Sequence, residues 1–327
     1  MKRLVASLLA LGTAGLLSAQ VNFAIGARGT FGFGLGSTAS PMENYASAYY
    51  DAEWDCWLDW ARFYGWTYGL NNTGYKSVYD NENLNVKPFE SFVAGGSIFG
   101  RIGFDSVPGL YIQPELGFYH NQVKYKYHWE GSGVSGPYSY GNVHHTYTYD
   151  YEAEGDGSFS YSSLDIPLLV GYDLELGHGF VISPYGGLNL SIPIGKLSWS
   201  MGAQENIARA YDNGILEYGY PEKTKDNSSS IEASIKNGVI PGLILGTGAG
   251  YKFDDHNMVM ADLRYIMDFT AIRAETDIHD ARKAEYKKSG YPFNWDEDDR
   301  KWYDKTFRWD AMTRRALTIG INYMFFF

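Results

Sequence analysis

One cysteine, Cys56, stands in 327 residues, so no intrachain disulfide can hold the fold together. No stretch after residue 20 reaches about eighteen apolar residues, the length that marks a membrane-crossing helix. Basic residues are scarce: 27 Lys and Arg face 38 Asp and Glu, a net charge of −11. Without Lys2 and Arg3 the balance is 25 against 38, or −13. That argues against nucleic acid or anionic head groups as a general partner. There is no Gly-x-Ser-x-Gly, no His-x-x-x-His, no cysteine pair and no calcium-loop spacing. His120, His128, His144 and His145 lie near serines, tyrosines and acids, but adjacent His144 and His145 would point to opposite faces of a strand. The expectation is no enzyme, no cofactor and no metal site.

Alternation is abundant instead. From Arg314 to Phe327 every second residue is apolar: Leu317, Ile319, Ile321, Tyr323, Phe325, Phe327. That is the period of a strand with one face in an apolar medium. The same pattern opens the chain after residue 20, with Phe23, Ile25, Phe31 and Phe33 on one parity and Arg28, Thr30, Gly32 and Gly34 on the other. It returns around Phe92–Phe104, Leu110–Phe118, Leu164–Leu174, Phe180–Ile194, Val239–Phe253 and Val259–Phe269. Ahead of it, Lys2-Arg3, an apolar run to Leu17 and Ser18-Ala19-Gln20 have the layout of a secretory signal peptide.

Tight turns at Ser106-Val107-Pro108-Gly109, Gly177-His178-Gly179 and Asp254-Asp255-His256-Asn257 alternate with long connections at about 37–90, 121–160, 198–236 and 273–312. A membrane protein without a spanning helix must be a closed barrel, and barrels of that kind have short turns at one end and long loops at the other. The reading is a signal peptide over 1–20 and, over 21–327, an all-β, closed, antiparallel, up-and-down transmembrane barrel of eight strands, or ten if a long segment hides a hairpin. It predicts an outer-membrane location in a Gram-negative-type cell, with membrane lipid as its surroundings.

Gly109-Leu-Tyr-Ile-Gln113-Pro114-Glu115-Leu, Leu164-Asp-Ile-Pro167-Leu-Leu-Val-Gly-Tyr172, Pro184-Tyr-Gly-Gly and Leu263-Arg264-Tyr265 resemble the PorT-like outer-membrane β-barrel family. The resemblance covers the strands and none of the loops. It implies a porin-family barrel protein, and a terminal strand ending at Phe327 that the barrel-assembly machinery recognises.

On the inward parity, Arg28, Arg101, Glu115, Asp262 and Arg264 should share one depth in the lumen. Either they pair into a polar plug, or they line a narrow passage for small solutes, with room left by Gly32, Gly34, Gly246, Gly248 and Gly250. In the second long connection, Tyr125 and Tyr127 alternate with lysines, and Tyr147 and Tyr149 alternate on the return. Folding about Gly136-Pro137 predicts a hairpin with Tyr125 opposite Tyr149 and Lys124 opposite Asp150. In the first connection, Trp54 and Trp57 fall on one side of a short amphipathic helix. These six aromatics either form a surface for an extracellular ligand or partner, as in an adhesin or receptor, or pack on neighbouring loops. Asp277 to Lys288 reads as a further helix.

Overall fold

A computed structural model describes residues 21–35, 48, 52, 83–140, 143–212, 215–224, 229–289 and 305–327. The elements are β1 (Val21–Gly34), β2 (Asn83–Phe104), β3 (Leu110–Tyr140), β4 (Val143–Tyr172), β5 (Leu174–Gly177), β6 (Phe180–Asp212), β7 (Ile215–Thr224), β8 (Ser229–Ile235), β9 (Ile240–Lys252), β10 (Asn257–Asp268), β11 (Ile272–Asp277), α1 (Ile278–Ser289), β12 (Thr306–Met312) and β13 (Arg315–Phe326). Residues 1–20 and both tryptophans Trp54 and Trp57 lie outside the described residues.

Eight strands close a ring in the order β1, β2, β3, β4, β6, β9, β10, β13, each antiparallel to its neighbours. The closing seam runs from Ala24 opposite Phe326 to Gly34 opposite Ala316. Three reversals at one end are short, and the four long connections leave from the other. Gly109 takes φ 91° and the Gly177-His178-Gly179 turn holds three successive positive φ values, which is why these reversals are glycine-rich. In the third turn, the Asn257 amide and the backbone of His256 and Asn257 donate to Asp254, and they hold its carboxyl below the ordinary carboxylate range.

The long connections are built largely of strand. β3 and β4, of 31 and 30 residues, run far beyond the ring, whereas β9 and β10 have 13 and 12. Where β6 leaves β9 it pairs β7 and β8, and the sheet continues through β11 to β12. Strands β7, β8, β11 and β12 therefore stand above the barrel and are not inserted in it, and the short β5 pairs the start of β6 at the short-turn end.

The β3–β4 hairpin forms in a different register from the one its aromatics suggest. Tyr125 faces Gly157 and Tyr149 faces Gly133, and Tyr140 pairs with Val143. The reversal falls between Tyr140 and Val143, and the sequence there reads Gly-Asn, a dipeptide suited to a two-residue hairpin. Gly136-Pro137 falls in a register irregularity between Ser135 and Tyr138, which suits a residue with no N–H to give the ladder.

The extension has its own core. Tyr125, Phe159, Leu197, Trp199, Ile231, Ile272, Phe307, Trp309 and Met312 are buried together, and Ala48, Ala52 and Ala284 pack against them. Phe159 stacks between Tyr125 (5.3 Å) and Trp199 (5.7 Å), and the Trp199 indole donates to the Tyr125 hydroxyl. Outside, Lys236 and Arg308 each meet Glu275 at 2.5 Å and Lys196 meets Glu232 at 2.7 Å. The hydrogen bonds from Lys236 and Arg308 hold the Glu275 carboxyl low. α1 begins where the 277–288 pattern places it, and Asp277 accepts the Asp280 N–H at 2.6 Å as its cap.

Candidate functional site: the barrel interior and its outer wall

Period-two alternation sorts the barrel's side chains into two environments. The outward set is apolar and exposed on every ring strand: Ile25 and Phe31, Ile98, Leu116 and Phe118, Ile166 and Leu168, Ile182 and Leu188, Leu245, Leu263, Ile319 and Ile321. Towards the short-turn end this belt turns aromatic, with Phe23, Tyr172, Phe180, Tyr251, Phe253, Tyr323, Phe325 and Phe327 exposed. Phe180 and Tyr251 meet edge to face at 5.1 Å, as do Phe325 and Phe327 at 5.3 Å. His120 is on the same outer side, its Nδ1 3.4 Å from Ser162 Oγ on the neighbouring strand.

The inward set contains all five charges expected there. Arg28, Arg101, Glu115, Asp262 and Arg264 are buried, and one chain of contacts joins them. Arg28 Nε donates to Asp262 Oδ1 at 3.0 Å. Arg264 Nε donates to Asp262 Oδ2 at 2.8 Å, and its Nη1 and Nη2 grip Glu115 at 2.7 and 2.8 Å. This two-pronged geometry is the strong form of the ion pair. Gln113 Nε2 donates to Glu115 Oε1 at 2.6 Å while its Oε1 accepts from Arg101 Nε at 2.9 Å, and Arg101 Nη1 reaches Asp173 at 3.0 Å. The Tyr185 hydroxyl donates to Asp262 and accepts from Arg264 Nε at 2.8 Å. Arginine planes also cover rings, Arg101 over Tyr111 at 3.7 Å and Arg264 over Tyr185 at 5.1 Å. The polar plug is the arrangement present.

Room expected beside the inward glycines is taken up by neighbours. A Cβ on Gly246 would meet the Tyr185 ring, one on Gly248 would meet Met260, one on Gly250 would meet Met258 and one on Gly32 would meet Thr318. At Gly34 it would meet Ser91. Gly246, Gly248 and Gly250 make space for large side chains from adjacent strands, and Gly32 and Gly34 for the close approach of Thr318 and Ser91. Beside the network, Phe99, Val181, Met258, Met260 and Met324 form an apolar cluster inside the ring.

The sequence reading missed a second inward layer towards the long-connection end. Arg314 Nη2 lies 2.8 Å from Asp165 and 3.0 Å from Asp268, and Asp165 also accepts from Asn189 (3.1 Å) and Ser191 (2.9 Å). Its signal is present in the sequence, because Asp165 and Asp268 each sit between two outward apolar residues of an alternating strand.

No protein-family model matches the chain, and no curated protein matches it. Its chemistry has to be read from these side chains.

The aromatic surface divides. Tyr125 is 1 % exposed and belongs to the extension's core, a correction to its place on a binding face. The extension sheet is curled, so one face of β3 above the barrel packs inward. Tyr127, Tyr147 and Tyr149 are placed on β3 and β4 by their backbone pairing, and their side chains lie outside what is described. Asp277, His279 and Asp280 bring possible metal-ligand atoms within 4.8 Å of one another. The helix cap explains this cluster, and the positive end of α1 opposes a cation there.

Proposed function

We propose that the protein is an outer-membrane barrel of the porin-family kind, whose filled interior is a rigid core and whose role is to hold the strand-built extension at the cell surface. The observation that carries this reading is the apolar belt on all eight ring strands, which in water would be a far larger exposed patch than soluble monomers keep. The aromatic rim at the short-turn end fits an interfacial girdle. Strands of 30 and 31 residues greatly exceed the roughly ten needed to cross a bilayer, which favours a scaffold over a pore. The resemblance to the PorT-like family points the same way, with insertion by the assembly machinery through the strand ending at Phe327. The extension's outer surface is then the place for an extracellular ligand or partner.

Refolded protein added to preformed lipid vesicles should insert, run faster on a gel unheated than boiled, and keep its ring strands from protease. A chain that stays monomeric and soluble without detergent would overturn the membrane reading.

A further inference from the structure

The two charged layers inside the ring are balanced differently. Around Arg264, three arginines (Arg28, Arg101, Arg264) meet three carboxylates (Glu115, Asp173, Asp262). In the second layer one arginine, Arg314, meets two carboxylates, Asp165 and Asp268. That leaves one negative charge without a counter-charge among residues at most 3 % exposed. A buried charge is costly unless it is paired.

Four oxygens of this layer also have no hydrogen-bond partner: Asp268 Oδ2, Asn121 Oδ1, Asn189 Oδ1 and the Tyr161 hydroxyl. The amide nitrogens are already committed, that of Asn189 to Asp165 and that of Asn121 to Ser163, so the oxygens are the atoms left over. Register brings the four together in pairs. Asn121 is the cross-strand partner of Tyr161. Gly242 pairs with Asn189 on one side and Asp268 on the other. A Cβ on Gly242 would come within 3.0 Å of Asp268 Oδ1, so the missing side chain leaves Asn189 and Asp268 free to face each other. Beside Asn121 and Arg314 there is a cavity of about 10 Å³, enough for about one water. A water there can accept from Arg314 Nε or Nη1, which also have no partner.

We propose that this layer binds a small monovalent cation of the sodium or potassium class, held by the free oxygens of Asp268, Asn121, Asn189 and Tyr161. An all-oxygen set selects a hard cation, and the single unbalanced charge selects a monovalent one. The cation supplies the missing counter-charge and locks β3, β4, β6 and β10 together just below the extension. The inference rests on the barrel interior alone and stands apart from the membrane reading.

The test is the thermal unfolding midpoint of the full refolded chain in detergent, in sodium or potassium chloride against choline chloride at equal ionic strength and pH. Choline is too large to enter. The midpoint should be roughly 5 °C higher in the alkali salt at saturation, and Asp268→Asn should abolish the difference while keeping the heat-dependent gel shift. If that variant does not fold, thallous ion soaked into wild-type crystals decides, because an anomalous peak beside Asp268 is then required. Equal midpoints in choline and alkali salts overturn the proposal. So does a midpoint that responds to acidification alone, which would make a proton the counter-charge, and so does a thallium map without that peak.

Discussion

Arg264→Met should lower the stability of the folded barrel by about 3–5 kcal/mol, read as a shift in the denaturant midpoint of the unheated gel form. Among the described residues Arg264 is the one side chain that touches both Glu115 and Asp262, with three charge-assisted bonds between 2.7 and 2.8 Å. Methionine fills much of its volume but leaves the Glu115 carboxylate with only Gln113 and a 3.5 Å contact from Ser97. Asp262 keeps Arg28 and Tyr185 and suffers less. The loss therefore comes mainly from stranding a buried anion. Adding Glu115→Gln to Arg264→Met should recover much of it, because the stranded charge is gone. A loss in the double variant equal to that in the single one would show that the ion pair is not what holds these strands.

Gly320→Leu should be at least as damaging, whereas Gly29→Leu, a few residues away on the next strand, should be nearly neutral. A Cβ at Gly320 would land on the Arg28 guanidinium and the Asp262 carboxylate. The leucine must expel one of them from a packed interior, adding an overpacking cost of roughly 1–3 kcal/mol to that of a broken buried pair. At Gly29 nothing lies within 4 Å of an added Cβ, and there the outward residue meets only the surroundings of the barrel. Equal effects at the two glycines would mean that the lumen is looser than these contacts require.

These contrasts show which parts of the molecule were legible in the sequence. The barrel was, because a closed sheet with two unlike faces writes its pattern at every second residue. Arg28, Arg101, Glu115, Asp262 and Arg264 could be placed inside by parity alone, although the register sets Arg101 four residues nearer the short turn than Ser97, the partner of Arg28. What fills the space beside Gly246 or Gly248 could not, since Tyr185 and Met260 arrive from other strands whose stagger no single strand encodes. The hairpin shows the same limit. Moving its reversal from Gly136-Pro137 to the step between Tyr140 and Val143 changes the partner of Tyr125 from Tyr149 to Gly157 while leaving its facing unchanged, because the shift is even. Tyr125 shares the parity of the inward Gln113 and Glu115 on β3, and that parity carries on above the ring, where Phe159 and Trp199 pack onto it as core. The Arg314 layer was within reach of the same parity argument that found Arg264.

The claim that a filled, ion-paired interior sits inside a lipid-facing wall is tested most directly by planar-bilayer conductance, on protein whose heat-dependent gel shift shows it to be folded. The cluster of Phe99, Met258, Met260 and Met324 and the network around Arg264 predict a silent membrane at ordinary voltages. Steady single-channel openings that change when Arg28 or Glu115 is neutralised would contradict it, and would make the lumen a passage instead of a core.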